Sequence, residues 1–278
     1  MSMSAESGMR LPKLYMVLPA YNEEAGLPSL LENLETVFEK LRLEGHEREY
    51  VIVDDGSRDR TASILRDRQS SFPIEVVTHV TNLGLGQTIR DGLHRASEIA
   101  RPQDIILTMD ADNTHPAGLM VRMVHRIIEG NDLVIASRYR RGARVVGLSR
   151  FRKLMSIGAR VLFTLVFPIP GVRDYTCGYR AYRAAVLQEA FRRYGDAFIE
   201  QRGFQCMADI LLRLGRMRVL MTEVPMILRY DLKGGDSKMR VGTTVGQTLK
   251  LMIKRRFETS PAPKSARYGG MPKEGDAR

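Results

Sequence analysis

Short apolar runs alternate with amphipathic stretches along the first half of the chain. Of all features of the sequence, this alternation most strongly restricts the fold that the chain can adopt. The apolar runs have the length of buried strands and cover residues 14–18, 50–53, 74–78, 105–109 and 132–136. The stretches between them have helical apolar spacing and cover residues 27–43, 61–68, 87–100 and 117–129. This order predicts an α/β fold, with a mostly parallel sheet, helices on both faces and right-handed crossovers.

The composition favours one large domain with an anionic partner. The chain has 278 residues, of which 44% are hydrophobic, so it is long enough to bury a substantial core. Its formal net charge of +11 suits nucleic acid, a phospholipid surface or a phosphorylated substrate. Aromatic residues make up only 7%, tryptophan is absent and no nucleic-acid-binding motif occurs, so we expect no nucleic-acid partner.

The cysteines give no sign of a disulfide framework or a zinc site. Cys177 and Cys206 are the only two, and no histidine or further cysteine stands at ligand spacing from them. A reducing, cytosolic location fits this usage. The first residues lack the apolar core of a signal sequence, and no apolar run is long enough to span a membrane, so we expect a soluble chain.

Polar clusters follow the predicted strands at residues 19–23, 54–57, 82–86 and 110–115. Each alone is typical of an ordinary turn or helix cap. In a parallel sheet, however, ligands bind beyond the carboxyl ends of the strands, so the clusters together predict one crevice. Carboxylates there can accept hydrogen bonds from a base or ribose, and a glycine turn lets backbone approach a phosphate. The sequence contains neither a dinucleotide fingerprint nor a P-loop.

Asp110 and Asp112 flank one alanine directly after the apolar run 105–109. Such a pair can simply cap a helix, but at the edge of this crevice it indicates a divalent metal site. Oxygen ligands of this kind suit Mg²⁺ or Mn²⁺.

The second half combines basic residues with an apolar segment. A run of arginines and a lysine leads into residues 153–170, an apolar stretch interrupted by Arg160. This segment, about 150–170 with its basic flank, is typical of an amphipathic helix in a membrane interface and equally of a core helix. Both interpretations stay open. Farther on we expect a helix over residues 243–257 and a disordered basic tail, because the last residues are polar and rich in proline and glycine.

Several blocks occur in one order along the chain: LPAYNEE (18–24), VDDGSRDRT (53–61), NLGLG (82–86), MDADNTHP (109–116), ASRYRRG (136–142), DYTCGYRAYR (174–183), EVP (223–225) and GGDSKM (234–239). Together they resemble the inverting glycosyltransferases of family 2, which have the GT-A nucleotide-sugar fold, and among them the dolichol- and polyprenyl-phosphate mannosyltransferases. The resemblance covers about residues 13–240. It implies a GT-A domain there, between a flexible N-terminus (1–12) and a C-terminal helix (241–257) with a disordered tail (258–278).

The resemblance implies roles for individual residues. Those assigned to the nucleotide sugar are Pro19, Tyr21, Glu23, Asp54, Gly84, Asp110, Ala111, Asp112, Arg229 and Lys238. Those assigned to the metal are Asp110, Asp112 and Thr114, and those assigned to the acceptor phosphate are Ser137, Arg138 and Arg152. Asp112, Arg180 and Lys238 are the implied catalytic residues. The loop 233–239, with its paired glycines, is expected to close over the donor.

The sequence departs from the family pattern at three points. Thr114 stands where these mannosyltransferases usually have a glutamine metal ligand, and Gln87-Thr88 follows the glycine turn where a small residue is more usual. Residues 156–159 lack an arginine that the family has at this point. Glu200 occupies the place of a base in hydroxyl-directed relatives, but we expect it to be a carboxylate at a helix N-terminus.

The implied activity is transfer of mannose from GDP-mannose to a polyprenyl phosphate at the cytoplasmic membrane face. A phosphate acceptor is already ionised near neutral pH, so the site needs no base. A UDP-hexose donor or a sugar-hydroxyl acceptor stays open, and a noncatalytic basic binding protein is a distant alternative. The chain would reach the lipid peripherally, through its amphipathic segment, its basic surface or a membrane-anchored partner.

Overall fold

The computed structural model describes residues 10–232 and 241–258. The strands are β1 (Leu14–Ala20), β2 (Arg48–Asp54), β3 (Ile74–Thr78), β4 (Ile105–Thr108), β5 (Leu133–Ser137), β6 (Arg144–Val146), β7 (Arg180–Arg183), β8 (Met221–Pro225) and β9 (Ile227–Arg229). The α-helices are α1 (Leu27–Leu43), α2 (Thr61–Arg68), α3 (Leu85–Ile99), α4 (Leu119–Ile128), α5 (Arg150–Val166), α6 (Ala184–Tyr194), α7 (Cys206–Gly215) and α8 (Val241–Phe257).

The main sheet has the strand order β3-β2-β1-β4-β7-β5-β8. Its pairs are parallel except those of β7, which runs antiparallel to both β4 and β5. β6 and β9 form a separate parallel pair. The predicted mostly parallel α/β sheet is therefore confirmed.

Burial of the central strands shows that helices cover both faces of the sheet. Successive side chains of a strand point to opposite faces, and in β1 all but Pro19 are buried. α3 packs closely on β1 and β2, since a Cβ on Gly92 would lie 2.5 Å from a methyl group of Val17. α1 contacts α4, which lies on β5 and β7. The apolar periodicity in the sequence thus corresponds to real core faces.

The predicted elements of the first half occur with small shifts at their ends, and α1, α2 and β3 occur as predicted. β7 was not predicted. Its sequence RAYR has no apolar run, yet Arg180, Ala181 and Tyr182 are buried between β4 and β5. A strand that buries an arginine has no hydrophobic signature, which is why the pattern misses it.

α5 forms within the predicted amphipathic segment, and α8 forms close to the predicted C-terminal helix. Among the described residues, no helix combines the length and the apolarity needed to cross a bilayer. The expectations for residues 1–9, the loop 233–239 and residues 259–278 lie outside the described residues, and the domain boundaries stay predictions.

Candidate active site

The polar clusters meet at one edge of the main sheet. Pairing of β1 with β2 aligns Pro19 with Val53, and pairing of β4 with β7 aligns Thr108 with Arg180. The turn after β1 also reaches the turn Asp110-Ala111-Asp112, called the DAD turn below, because a Cβ on Gly26 would lie 3.4 Å from the Ala111 carbonyl oxygen. The crevice is therefore bordered by the ends of β1, β2 and β4 and by the start of β7.

The loop after β1 is held by side chains of the loop after β2. The Asn22 N–H donates to Ser57 Oγ at 3.0 Å, and the Glu23 N–H donates to Thr61 Oγ1 at 2.9 Å. Tyr21 and Glu23, both assigned to the nucleotide, are partly exposed on this loop. Their backbone is thus fixed beside the second cluster.

Asp54 and Asp55 have different roles although they are adjacent. Asp54 Oδ1 accepts the Ser57 N–H at 3.0 Å and closes its own turn. The buried Asp55 carboxylate accepts the N–H groups of Leu83 and Gly84 at 2.8 and 2.9 Å and contacts His79 Nδ1 at 2.7 Å. Asp55 therefore holds the glycine turn, a role that the sequence analysis missed because Asp54 and Asp55 look alike in the motif.

Asp110 and Asp112 lie partly exposed just beyond β4. Gly178 lies against Asp110, since a Cβ there would be 3.3 Å from Asp110 Oδ1. Asp112 Oδ1 accepts hydrogen bonds from the hydroxyl and the backbone N–H of Thr114, at 2.7 and 3.2 Å. Thr114 is buried, and its hydroxyl orients the carboxylate. Its assignment as a metal ligand stays a prediction.

The donor set at this turn fits a divalent metal that is completed by substrate. The described part of the chain has no cluster of three or more histidine, cysteine or carboxylate ligands. Two carboxylates are nevertheless what Mg²⁺ commonly takes from a protein that binds a phosphorylated substrate, because phosphate oxygens and water fill the other positions.

Arg180 lies beneath the crevice and is completely buried. One terminal nitrogen donates to the Tyr175 carbonyl oxygen at 2.9 Å, while Nε and Nη1 have no hydrogen-bond partner among the described residues. Within residues 10–232 and 241–258 this buried guanidinium forms no ion pair with a carboxylate, and it places a positive charge close to the end of β4. A catalytic role for Arg180 requires that its charge act from below the crevice. This role stays a prediction.

The acceptor-side residues Ser137 and Arg138 follow β5. Ser137 is fully buried, and its hydroxyl accepts the Tyr139 N–H at 3.2 Å. Arg138 donates to both carboxylate oxygens of the buried Asp174, at 2.8 and 2.6 Å. Burial alone would raise the pKa of Asp174, but the charge and hydrogen bonds of Arg138 hold it below its ordinary value. The positive charge of Arg138 is therefore balanced by Asp174, which the sequence analysis did not assign.

A second buried acid lies behind this loop. Glu223 Oε1 accepts the N–H groups of Arg173 and Asp174, both at 2.6 Å, and Arg140 Nε lies 3.4 Å from Oε2. Burial raises the pKa of Glu223 despite these hydrogen bonds. Glu223 thus holds the chain that carries Asp174 in place under Arg138.

Tyr139 joins the loop after β5 to α5. Its hydroxyl donates to the Ser156 carbonyl oxygen at 3.0 Å, and the Arg160 guanidinium lies 5.0 Å from its ring centre. Arg152 lies in the first turn of α5, where its N–H donates to Ser149 Oγ at 3.4 Å. Arg152 and the 137–140 loop are thus parts of one side of the molecule.

The remaining assigned residues are Arg229 and Lys238. The Arg229 backbone N–H donates to the Thr114 carbonyl oxygen at 3.2 Å, which places β9 beside the DAD turn. Its exposed side chain pairs with Asp231 at 2.7 Å. Lys238 lies outside the described residues.

The expectation for Glu200 was wrong. α7 begins only at Cys206, with Gln205 as its N-cap, so Glu200 is not at its N-terminus. Its carboxylate instead accepts hydrogen bonds from Lys254 at 2.6 Å and Arg255 at 3.0 Å. Residue spacing alone could not show that a helix from the end of the chain returns to this position.

Both cysteines are buried and free. Burial raises the pKa of Cys177 and of Cys206 to about 12, so both thiols are protonated near neutral pH and are poor nucleophiles.

Comparison with known proteins identifies the family. The model of "Glycosyl transferase family 2" matches residues 15–191. The chain belongs to this family. It is 30% identical over 241 residues to a dolichol-phosphate mannosyltransferase of Pyrococcus furiosus, covering 86% of this chain and 62% of that protein. It is 31% identical over 238 residues to an undecaprenyl-phosphate mannosyltransferase of Micrococcus luteus, covering 85% of this chain and 91% of that protein.

The structure of this family 2 protein is similar to that of a mannosyltransferase from Pyrobaculum calidifontis solved with GDP-Man and Mn²⁺. The TM-score is 0.56 at 16% identity, covering 91% of this chain and 67% of that one. At this identity the similarity shows the GT-A fold alone. Family and fold together make the chain a glycosyltransferase.

Proposed function

We propose that this glycosyltransferase moves a hexose, with mannose from GDP-mannose as the first choice, to a polyprenyl or dolichyl phosphate. It would act peripherally at the cytoplasmic face of a membrane. The two relatives described above carry names that specify polyprenyl-phosphate acceptors and mannose. The chain spans 62% of the length of the Pyrococcus protein, so the substrates of that whole protein come to this chain only as a proposal.

The crevice offers a place for a nucleotide sugar. Pro19, Tyr21, Glu23 and Asp54 border it on the β1–β2 side, where they would contact the nucleotide. Asp110 and Asp112 would hold Mg²⁺ or Mn²⁺, and the charge of the ion would stabilise a departing nucleoside diphosphate. The buried guanidinium of Arg180 would add positive charge from below.

The environment of Glu200 favours a phosphate acceptor over a hydroxyl acceptor. A hydroxyl must lose a proton as it attacks, which requires a positioned base. The family resemblance would put Glu200 in the place of that base, but here its carboxylate accepts hydrogen bonds from Lys254 and Arg255. A phosphate monoester is already ionised and attacks without a base.

Ser137, Arg138 and Arg152 are the proposed ligands of the acceptor phosphate. Because Asp174 balances the charge of Arg138, the phosphate dianion needs further cations from the start of α5, which Arg152 and its neighbour Lys153 supply. α5 packs against the 137–140 loop through Tyr139, whose hydroxyl donates to the Ser156 carbonyl oxygen. The acceptor phosphate and its lipid tail would therefore meet neighbouring parts of one surface.

The surface formed by α5 and α8 carries the lipid proposal. The two helices pack against each other, and neither contains an aspartate or glutamate. Their exposed apolar side chains are Phe151, Leu154, Ile157, Val161, Leu162 and Leu165 on α5 and Val245, Leu249, Ile253 and Phe257 on α8. Their basic residues with exposed or partly exposed side chains are Arg152, Lys153 and Arg160 on α5 and Lys250, Lys254 and Arg256 on α8. Apolar contact combined with positive charge is typical of a helix surface that binds anionic lipid.

Calorimetric titration with donors tests the nucleotide-sugar part of this proposal. GDP-mannose, UDP-glucose and UDP-N-acetylglucosamine are each added with and without Mn²⁺, to the wild type and to Asp112→Ala. We expect the tightest binding for GDP-mannose, dependent on Mn²⁺ and lost in Asp112→Ala. Tighter binding of a UDP sugar would overturn the donor assignment and leave the transferase class in place.

A further inference from the structure

Residues 201 and 202 lie directly against the glycine turn 82–86. The Gly86 N–H donates to the Arg202 carbonyl oxygen at 2.8 Å. A Cβ on Gly86 would lie 1.6 Å from the Gln201 carbonyl oxygen, and one on Gly84 would lie 2.9 Å from that of Arg202. The backbones of the two segments are therefore in direct contact with no side chain between them, and a displacement of one segment would break this hydrogen bond and change the contact.

The opposite side of the glycine turn is fixed by Asp55, which accepts the N–H groups of Leu83 and Gly84. Gly84 has a φ of +93°, a conformation that glycine adopts without strain. The turn is thus held between Asp55 at the end of β2 and the backbone of residues 201–202. Its position in the crevice depends on both contacts.

The 200–203 segment is attached to α8 on its other side. The Glu200 carboxylate accepts hydrogen bonds from Lys254 and Arg255, and Arg213 of α7 lies 3.5 Å away. Hydrogen bonds from these α8 side chains hold the pKa of Glu200 below its ordinary value, although burial alone would raise it. Gln247 of α8 also approaches, since its Oε1 would be 3.4 Å from a Cβ on Gly203.

We propose that Glu200 is a positioning residue that ties α8 to the glycine turn, so that the donor crevice is in its binding shape only when α8 is docked. This inference rests on the proposed function, because the turn is taken to border the donor. α8 also exposes the apolar residues Ile253 and Phe257. One side of α8 would therefore face the lipid, and the opposite side would stabilise the donor site.

Hydrogen exchange and donor affinity test this link in the variant Glu200→Gln, which keeps the shape and removes the charge. We expect faster exchange of the backbone amides in residues 82–90 and 200–205. We also expect a GDP-mannose Kd raised about fivefold or more, the lower end of common coupling between sites. The melting temperature should change little, since Arg255 keeps its pair with Asp209. The matched control is Glu129→Gln, which removes a surface pair with Arg126 and should change neither quantity.

A second variant, Lys254→Met, removes a Glu200 partner from the α8 side and should accelerate exchange in the same two segments. Unchanged exchange at residues 82–90 in Glu200→Gln would overturn the proposal. A uniform rise in exchange across the domain would overturn it too, because Glu200 would then only stabilise the fold. If the wild type binds no nucleotide sugar, the proposed function fails, while the exchange comparison still decides whether the link exists.

Discussion

The guanidinium of Arg255 and the carboxylate of Asp209 form a two-point ion pair, at 2.5 and 2.8 Å, in which neither side chain is exposed. Arg255 belongs to α8 and Asp209 to α7, so the pair fastens the last described helix to the domain. Glu258 and Glu200 contact the same guanidinium. The position of α8 thus depends on a buried charge as well as on the apolar residues Leu251 and Met252.

Replacing Arg255 with methionine should strongly destabilise the protein. The change leaves Asp209 buried without its cation, and breaking a buried pair in this way costs about 3–5 kcal/mol. Chemical denaturation measures the loss, with Arg256→Met at the neighbouring exposed position as the control. Adding Asp209→Leu to Arg255→Met should recover part of the stability, since no uncompensated charge is left. Equal denaturation midpoints for Arg255→Met and the wild type would contradict this account.

The Arg138–Asp174 pair predicts a dependence of stability on pH. Because the folded-state pKa of Asp174 is lowered, its contribution is fully present above the ordinary aspartate value of 3.8 and is lost as the pH falls through the lowered pKa. The difference in unfolding free energy between the wild type and Asp174→Asn should therefore be largest near neutral pH and shrink below pH 3.8. The surface control is Asp196→Asn, which removes an ion pair with Arg90 at an aspartate side chain that is 94% exposed and should change the unfolding free energy near neutral pH much less than Asp174→Asn does. If the difference in unfolding free energy between the wild type and Asp174→Asn grew as the pH was lowered, this prediction would be wrong.

Thr114→Val should weaken metal binding without abolishing it. The hydroxyl orients the Asp112 carboxylate at 2.7 Å, and loss of such a supporting hydrogen bond typically costs about 10–100-fold in metal affinity. Titration of Mn²⁺ in the presence of a nucleoside diphosphate measures the change. Thr114→Ser keeps the hydroxyl and should bind like the wild type, and Thr36→Val is a control on the surface of α1. If Thr114→Ser and Thr114→Val lose affinity equally, the hydroxyl is not the group that matters.

The double variant Ile253→Ser/Phe257→Ser should reduce binding to anionic vesicles at low salt. These side chains are 64% and 82% exposed on α8, and their loss removes apolar contact while every basic residue is kept. Co-sedimentation with vesicles that contain phosphatidylglycerol measures the bound fraction, which should also fall as salt is added. The control is Leu43→Ser/Leu220→Ser, which changes residues 77% and 59% exposed outside the two helices.

If the two double variants sedimented with vesicles to the same extent, the α5–α8 surface would not be the lipid contact. Light scattering can also show whether the wild type forms a dimer and the variant Ile253→Ser/Phe257→Ser a monomer. That result would show that the surface binds a second copy of the chain.

The sequence predicted the features that arise from local pattern. Apolar runs and helical spacing gave β1 to β5 and α1 to α4, and the rule for parallel sheets placed the polar clusters at one edge. β7 was not predicted because it buries Arg180 and has no apolar run. The partnerships of Asp55, Asp174 and Glu200 join residues far apart in the chain, and such pairs depend on tertiary packing that periodicity does not describe.

The most direct test of the central claim is transfer of labelled sugar from GDP-mannose into organic-extractable material, with a polyprenyl phosphate and Mn²⁺ or Mg²⁺ present. UDP-glucose and UDP-N-acetylglucosamine serve as competing donors, and Asp112→Ala serves as the inactive control. The account predicts metal-dependent label from GDP-mannose in an acid-labile lipid, absent with Asp112→Ala. Donor binding with no lipid product under any of these conditions, or equal labelling by Asp112→Ala, would contradict it.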